Sequence, residues 1–417
     1  MVHHTMATSS ASAPRASSTI THMLQSFRRR PGRHGPGWAA ILVVLAACST
    51  SLPPAPVRPP APPVVALPAP APARPGLPAA PAIQRSNARW VAVDWLDLPG
   101  WYDDRTAELW PALLRSCERP VAEWTRVCAE ARNGAPPSDA ATRDWLQQRL
   151  LPYRIEAPDG ADEGLATGYF EPLIEASRTP RGPYRVPLHM PPSDLGARKP
   201  YWTRQQLDTL PAAQAALRGR ELAYVADPMD ALILQIQGSG RLHVAEPDGT
   251  RRLVRMAFAG HNEQPYRSVG RWLVEQGELK ADQASWPAIK AWAQRNPRRV
   301  HELLWSNPRV VFFREEPLPD PALGPRGAQG VPLTPGRSIA VDPQSVPYGT
   351  PVWLDTTEPL SSAPLRRTVV AQDTGSAITG AVRADYFWGW GEQAEQQAGR
   401  MKQPLRMWAL WPRALAP

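Results

Sequence analysis

The sequence holds only three cysteines among its 417 residues, and its eight histidines give no metal-ligand spacing with them. We therefore predict no bound metal and no other cofactor. The chain also lacks a Gly-x-Ser-x-Gly motif, a phosphate-binding loop and a nucleophilic cysteine with a placed histidine. These absences leave acid/base chemistry by carboxylate side chains as the remaining class of catalysis.

A strongly basic surface is missing as well. The formal net charge is +9, but five arginines that precede an apolar N-terminal stretch account for more than half of it. The rest of the chain has a small positive surplus with no basic run and no interleaved aromatic pattern, so nucleic acid is not an expected partner. The apolar stretch itself is too short to be a transmembrane span.

That N-terminal stretch has the layout of an export signal. Basic residues at 28–30 precede an apolar run, residues 37–48, that ends in the small residues Leu-Ala-Ala-Cys48. The last four residues resemble the bacterial lipobox, in which the cysteine is lipidated. We predict a lipoprotein signal peptide over residues 1–47 with Cys48 as the lipidation site; the alternative is a plain signal peptide with an incidental cysteine. Ser49 favours the outer membrane, with the protein facing the periplasm.

Proline is concentrated directly after this signal. The 51 prolines make up about 12% of the chain, against a usual level of about 5%, and the excess begins at residue 52. Such a stretch forms extended polyproline II and acts as a semi-rigid spacer. We therefore predict that residues 48–84 form a tether between the lipid anchor and a folded enzyme.

The hydrophobic pattern of the remaining chain changes near residue 324. Before that point, helical periodicity predicts several helices, with Asp103 and Ser138 placed to cap the first two. Afterwards, short β-rich runs follow one another at barrel-like spacing, which predicts a β-barrel or sandwich. Cys117 and Cys128 form either a disulfide or two buried thiols. The predicted helices are 103–115, 138–150, 267–276 and 285–305, and the predicted strands are 164–174, 231–236, 338–341, 351–355, 367–372, 384–388 and 406–410.

Three aspartates, Asp342, Asp373 and Asp385, lie within or at the ends of the C-terminal strands. An ionised carboxylate is costly there unless it is paired or hydrogen-bonded, and the alternative is that each aspartate caps a turn. Asp385 is least like a turn residue because Tyr, Phe and Trp388 follow it. Apolar surroundings raise the pKa of a carboxyl group, as a general acid near neutral pH requires. Trp388 is also placed to lie near a substrate.

A second candidate feature is the segment 234–241. Gln235 and Gln237 project from one face of the predicted strand, and the turn Gly238-Ser239-Gly240 follows directly. Amide side chains both donate and accept hydrogen bonds, which suits hydroxyl and N-acetyl groups of a sugar. The alternative is an ordinary strand that ends in a hairpin turn.

Several motifs together resemble those of the membrane-bound lytic murein transglycosylase A family, in the same order and over roughly residues 85–413. They are TGYFEP at 167–172, LQIQGSG at 234–240, Asn262 with PYRS at 265–268, NPRVVFF at 307–313, and QDTGSAI with ADYFWG between 372 and 389. The resemblance implies a mainly β fold in which a double-psi β-barrel domain is interrupted by a second, smaller β-barrel domain, with a few peripheral helices. The implied boundaries are 85–172 and 325–417 for the barrel domain and 173–324 for the inserted substrate-binding domain.

The resemblance also implies an activity. Members of this family cleave the β-1,4 bond between N-acetylmuramic acid and N-acetylglucosamine in peptidoglycan and leave a 1,6-anhydromuramic acid end, in cell-wall turnover. Asp385 corresponds to the family's catalytic acid/base, with Asp373 and Asp342 in support. The expected partners are peptidoglycan glycan strands, the outer membrane through the lipid anchor, and proteins of cell-wall synthesis or division.

Glycan is expected in the groove between the two domains. The substrate-binding residues predicted there are Tyr169, Glu171, Gln235, Gln237, Gly238, Ser239, Gly240, Asn262, Tyr266, Arg267 and Trp388. Two other classes remain open at this point: a non-catalytic, expansin-like polysaccharide-binding lipoprotein, and a structural lipoprotein that tethers the wall to the membrane.

Overall fold

The computed structural model describes residues 81–134, 136 and 138–413. The predicted signal peptide, Cys48 and the tether up to residue 80 lie outside the described residues. Among the residues that are described, no helix is long and apolar enough to cross a membrane.

The described residues form fifteen strands, ten α-helices and several short 3₁₀ helices. The strands are β1 (Ile83–Gln84), β2 (Arg89–Ala92), β3 (Leu150–Glu156), β4 (Gly164–Glu171), β5 (Leu173–Ser177), β6 (Val186–His189), β7 (Glu221–Val225), β8 (Gly240–Ala245), β9 (Arg251–His261), β10 (Val311–Pro317), β11 (Ser338–Val341), β12 (Pro351–Thr357), β13 (Pro364–Asp373), β14 (Arg383–Trp390) and β15 (Lys402–Pro412). The α-helices are α1 (Trp110–Ser116), α2 (Thr125–Ala131), α3 (Asp139–Arg149), α4 (Arg204–Thr209), α5 (Pro211–Leu217), α6 (Pro228–Gln237), α7 (Val269–Glu275), α8 (Trp286–Arg295), α9 (Val300–Ser306) and α10 (Glu392–Ala398). The 3₁₀ helices are Trp95–Asp97, Trp101–Asp103, Thr106–Leu109, Ala122–Trp124, Leu195–Ala197 and Pro297–Arg299.

The larger sheet closes into a six-stranded barrel. Its order runs β15, β12, β13, β11, β14, β4, and β4 pairs back to β15. Two of these pairs, β11 with β13 and β14 with β4, are parallel, and β1 to β3 extend the sheet beyond β15. The prediction of a mainly β fold built on a barrel with a few helices is confirmed.

A second sheet is formed by the chain between β4 and β11. Its order is β10, β9, β8, β5, β7, β6, and its outer strands β6 and β10 approach each other. The chain enters this sheet at Pro172, which separates β4 from β5 because proline cannot donate a ladder hydrogen bond. The single strand predicted over 164–174 is therefore two strands that belong to different sheets.

Two structural features fix the region beside the barrel. Helices α1 to α3 pack against buried Trp353 and Trp408, and Cys117 and Cys128 form a disulfide within this cluster. The disulfide alternative is thus confirmed.

Ser138 caps α3 as predicted, because its Oγ accepts from the N–H of Ala141 at 3.2 Å. Asp103 caps no helix: it ends the 3₁₀ helix Trp101–Asp103, and α1 begins only at Trp110.

The strand predicted over 231–236 is wrong, since these residues lie within α6. Asp227 caps this helix by accepting from the N–H of Met229, and Pro228 occupies its first position. The helix is enclosed by two hydrophobic clusters, one under the smaller sheet and one beside α8, so its apolar residues face several directions. A short apolar run of this kind cannot be told from a buried strand by periodicity alone.

Candidate active site

A cleft runs between the barrel and the smaller sheet. It consists of two adjoining cavities of about 700 Å³ and about 290 Å³. The two share part of their lining, including Tyr169, Gln237, Tyr266 and Asp373, so we treat them as one cleft. The smaller cavity reaches Asp385, and the larger one extends along β9 and β10.

The barrel register places Asp373 and Asp385 on either side of one small residue. Ala340 of β11 is the partner of Asp385 on β14 and also of Asp373 on β13. Ala340 itself lines the smaller cavity together with both aspartates. Two carboxyl groups from consecutive strands of the chain, which β11 separates in the sheet, are therefore brought to one wall of the cleft.

The position of Asp385 is set by β4. Thr167 is its direct partner in the parallel pair of β14 with β4, and the Thr167 hydroxyl donates to Oδ1 of Asp385 at 2.5 Å. Arg383 Nη2 in turn donates to Oγ1 of Thr167 at 2.9 Å. Burial raises the pKa of Asp385, against the opposing effects of the Thr167 hydrogen bond and the Arg383 charge. Among the described residues, no group donates to the second oxygen, Oδ2.

Asp373 is held by two elements. Its Oδ1 accepts from the N–H of Ala328 at 2.9 Å, and its Oδ2 accepts from the Tyr169 hydroxyl at 3.1 Å. Burial raises the pKa of Asp373 to about 6, and the charge of Asp385 acts in the same direction, while these hydrogen bonds oppose the rise. Both cleft carboxyls thus retain a proton at higher pH than an exposed aspartate does.

Asp342 does not join the other two aspartates. It is buried away from both cavities and accepts hydrogen bonds from Asn87 Nδ2 at 3.0 Å and from the N–H groups of Gln344 and Gly380 at 2.9 Å each. Burial acts to raise the pKa of Asp342, but these hydrogen bonds outweigh it, so the pKa of Asp342 is lowered. Its place in the structure is that of a carboxylate that fixes the loop between β13 and β14 to the end of β11.

The two glutamines line the cleft from a helix. Gln237 Oε1 accepts from the N–H of Phe170 at 3.0 Å, and Gln235 Oε1 accepts from Arg204 Nη2 at 2.8 Å. The two side chains do not project from one strand face as predicted, because both residues lie on a helix, where residues two apart point about 200° from each other. Gly238 and Ser239 also line the cleft, whereas Gly240 begins β8 and lies outside its lining.

Some of the other predicted binding residues line the cleft, and the rest lie outside its lining. Tyr169 and Tyr266 line both cavities. Glu171 is fully buried and forms ion pairs with Arg241 and Arg255 at 2.7 Å and 2.5 Å. Asn262 is also fully buried and donates to the carbonyls of Trp202 and Pro308, while Arg267 lies outside the lining. Trp388 packs edge-on against Tyr386 with ring centroids 4.9 Å apart. The structure does not bring Glu171, Asn262, Arg267 or Trp388 into the cleft.

The structure brings to the cleft several residues that were not predicted from the sequence. Thr167 and Arg383 hold Asp385, and only Thr167 could have been found, as the first residue of a motif already noted. The larger cavity is lined by four arginines and an aromatic ring that were not predicted as site residues, and of these only Arg309 lies in a motif already noted: Arg119, Arg309, Arg314, Arg326 and Phe258. In the part of the chain that the structure describes, no three His, Cys, Asp or Glu residues are grouped so as to hold a metal ion.

Two domain families match separate parts of the chain. Residues 165–314 match the MltA specific insert domain, and residues 337–411 match the 3D domain. The first match covers most of β4 and the smaller sheet as far as the middle of β10, and the second runs from β11 into β15 and contains the three aspartates.

Relatives and solved structures match over larger regions. The membrane-bound lytic murein transglycosylase A of Vibrio cholerae is 34% identical over 59% of this chain and 65% of the relative, and that of Escherichia coli is 31% identical over 70% of this chain and 74% of the relative. The lytic transglycosylase LtgG of Burkholderia pseudomallei is 49% identical, with a TM-score of 0.57, over 81% of this chain and 99% of that structure. E. coli MltA with bound chitohexaose is 26% identical, with a TM-score of 0.60, over 80% of this chain and 94% of that structure. The chain therefore belongs to the membrane-bound lytic murein transglycosylase A family.

Proposed function

We propose that this protein is a peptidoglycan lytic transglycosylase that cleaves the β-1,4 bond between N-acetylmuramic acid and N-acetylglucosamine and forms a 1,6-anhydromuramic acid end. The observation that carries the proposal is the cleft carboxyl of Asp385, oriented by Thr167 and with a raised pKa, in a chain of this family. The binding of chitohexaose by the E. coli relative supports an N-acetylated glycan as the ligand of the cleft.

Asp385 serves as the general acid of the first step. Its raised pKa favours the protonated form of the carboxyl group, and from this form the proton passes to the glycosidic oxygen of the departing N-acetylglucosamine. The bond from this oxygen to the anomeric carbon of the muramic acid then breaks, and an oxocarbenium-like state forms there. Thr167 fixes Oδ1, so Oδ2 is the oxygen that carries the proton.

The same carboxyl group is the base of the second step. The C6 hydroxyl of the muramic acid attacks its own anomeric carbon, and Asp385, now a carboxylate, takes the hydroxyl proton. No water is consumed, and the enzyme returns to its protonated state. Most glycosidases need two carboxyl groups, but an intramolecular nucleophile gains from proximity what the second would supply.

Asp373 supports this site electrostatically. It lies across Ala340 from Asp385, and the charge of Asp385 raises the pKa of Asp373, so ionisation of both carboxyl groups at once is disfavoured. Asp342 acts indirectly, because it accepts a hydrogen bond from Gly380 and so holds the loop that contains this residue. We propose no nucleophilic role for either residue, since neither is needed to balance the reaction.

The cellular setting follows from the N-terminal sequence. We propose that Cys48 carries the lipid, that residues 48–84 span the distance to the wall, and that the protein faces the periplasm from the outer membrane during cell-wall turnover. Proteins of cell-wall synthesis or division are the expected partners. The segment 173–324 would act as the inserted domain that holds the glycan against the barrel formed by 85–172 and 325–417.

The test is to incubate the purified protein with peptidoglycan sacculi and to identify the new ends by mass spectrometry. A lytic transglycosylase yields 1,6-anhydromuramic acid ends, which are one water lighter than reducing ends. Reducing ends would show a hydrolase instead. Binding without any new ends would favour the expansin-like or structural alternatives.

A further inference from the structure

Four arginines surround the part of the cleft that lies beyond the catalytic carboxyl. All four line the larger cavity, whereas Asp385 lines only the smaller one, and Asp373 lies in the wall that both share. The arginines come from both sides of the cleft: Arg119 and Arg326 from segments next to the barrel, and Arg309 and Arg314 from the start and middle of the β10 region.

Among the residues that the structure describes, three of these four positive charges have no counter-ion. Arg314 pairs with Glu316 at 2.6 Å. For Arg119, Arg309 and Arg326, no carboxylate lies within ion-pair distance among residues 81–134, 136 and 138–413. Burial without a compensating acid lowers the pKa of Arg309. The cleft thus offers an excess of positive charge at one end.

Two of the arginines are attached to the loop that holds Asp373. Arg326 Nη1 donates to the carbonyl of Gly330 at 2.9 Å, and the guanidinium of Arg119 lies directly over Gly330, where any Cβ would collide with it. Gly330 also has a φ of +84°, which favours glycine. Gln329 of the same loop donates to the carbonyl of Arg119 at 3.3 Å. Arg119 also follows the disulfide cysteine Cys117 by two residues, so its backbone is anchored on both sides.

Arg309 approaches from the opposite wall. Its Nε donates to the carbonyl of Gln264 and its Nη1 donates to Oγ of Ser376, each at 2.8 Å. These two bonds fix the guanidinium but leave Nη2 without a partner among the described residues. The arginine is therefore positioned with donor capacity remaining for a ligand.

We propose that Arg119, Arg309 and Arg326 bind a carboxylate carried by the substituent on a muramic acid residue of the bound strand. This inference rests on the proposed function. It names the part of the substrate that the arginines of the larger cavity bind. The sugar rings and N-acetyl groups are neutral, so they can accept hydrogen bonds but give these three guanidinium groups no counter-charge. The lactyl group of muramic acid ends either in a free carboxylate or in an amide-linked peptide that carries carboxylates further out. Arginine is well suited to either, because its planar fork binds carboxylates through two hydrogen bonds.

The test measures binding to three ligands, in the Asp385→Asn background so that none is consumed. The ligands are chitohexaose, which is neutral; glycan strands stripped of peptide, which carry the lactyl carboxylate; and glycan strands that retain their peptides. We compare the background protein with a variant that also carries Arg119→Gln and Arg326→Gln. A variant with Arg218→Gln and Arg400→Gln loses the same charge from exposed positions outside the cleft and is the matched control.

We expect the cleft arginine variant to lose about tenfold in affinity for each arginine removed when the ligand carries carboxylates. Its affinity for chitohexaose should stay unchanged, and the control variant should bind all three ligands as the background does. Added salt should weaken binding of the anionic strands and spare chitohexaose. A loss confined to peptide-bearing strands identifies the peptide carboxylates, a loss confined to stripped strands identifies the lactyl carboxylate, and a loss on both shows that either suffices.

Two results would overturn the inference: unchanged affinity for both anionic strands, or an equal loss on chitohexaose, which would show that the arginines only shape the cleft. Failure of the proposed function gives a different pattern. Wild-type protein that binds anionic strands through these arginines but creates no anhydro ends would refute the catalysis and leave the binding inference in place.

Discussion

Replacement of Asp373 by asparagine should stabilise the protein at neutral pH. Burial raises the pKa of Asp373 from its ordinary value of 3.8 to about 6. The folded state therefore binds the proton more tightly than the unfolded state does, and the wild-type protein loses stability as the pH rises between these two values. A difference of about two pKa units corresponds to at most about 3 kcal/mol at pH 7.

Asparagine removes this pH dependence with little change of shape. Its side-chain oxygen can still accept from the N–H of Ala328, and it carries no charge to be buried. We expect urea unfolding to show that Asp373→Asn and wild type differ little near pH 4. The advantage of the variant should grow up to about pH 6 and then stay constant. The free energy of unfolding, measured at half-unit pH steps, gives this curve directly.

Asp342→Asn is the matched control because its expected sign is opposite. Hydrogen bonds lower the pKa of Asp342, so its carboxylate stabilises the folded state at neutral pH, and this contribution is lost as the pH falls below 3.8. That variant should be less stable than wild type at pH 7. The reasoning is refuted if Asp373→Asn is destabilised at pH 7, or if its difference from wild type does not depend on pH.

Four further predictions concern the cleft, the core and the anchor. Gln237→Ala should weaken glycan binding and also lower the melting temperature, because it leaves the backbone N–H of Phe170 unpaired, which costs about 1–3 kcal/mol of folding free energy. Gln237→Glu should keep that hydrogen bond and lose only glycan affinity. Cys117→Ser with Cys128→Ser should cost about 2–3 kcal/mol in urea unfolding, from the short loop that the disulfide closes. Glu171→Ala should cost about 3–5 kcal/mol, since two buried arginines lose their partner, and thermal unfolding measures the loss. Cys48→Ala should move the protein from the membrane fraction to the soluble fraction, and unchanged fractionation would contradict lipid anchoring.

The C-terminal barrel could be predicted well from sequence. Its strands are short, apolar and separated by proline and glycine, and each predicted run from 338 to 410 lies within an observed strand. The helix α6 could not be predicted, because it is apolar on most sides and buried between two clusters. Its start signals, Asp227 and Pro228, were present in the sequence and outweigh the apolar run that suggested a strand.

The candidate site was predicted only in part. Asp385 was singled out because three aromatic residues follow it, which no turn requires. Glu171 and Asn262 lie in motifs shared with the family, but the structure places them in a buried ion pair and a buried loop anchor. A motif alone cannot distinguish a residue that touches substrate from one that holds the site together. The arginines of the cleft come from distant segments, so only the fold reveals that they face one cavity.

The role of Asp385 is tested most directly by Asp385→Asn in a digest of sacculi, with the anhydro ends counted by mass spectrometry. The amide keeps the shape of the side chain and its hydrogen bond from Thr167 but cannot donate and then accept the catalytic proton. We expect at least a hundredfold loss of anhydro ends, since general acid/base catalysis contributes about 10²–10⁴, with binding to sacculi retained. Near wild-type turnover by this variant, or abolition only in Asp373→Asn, would contradict the assignment of Asp385 as the single acid and base.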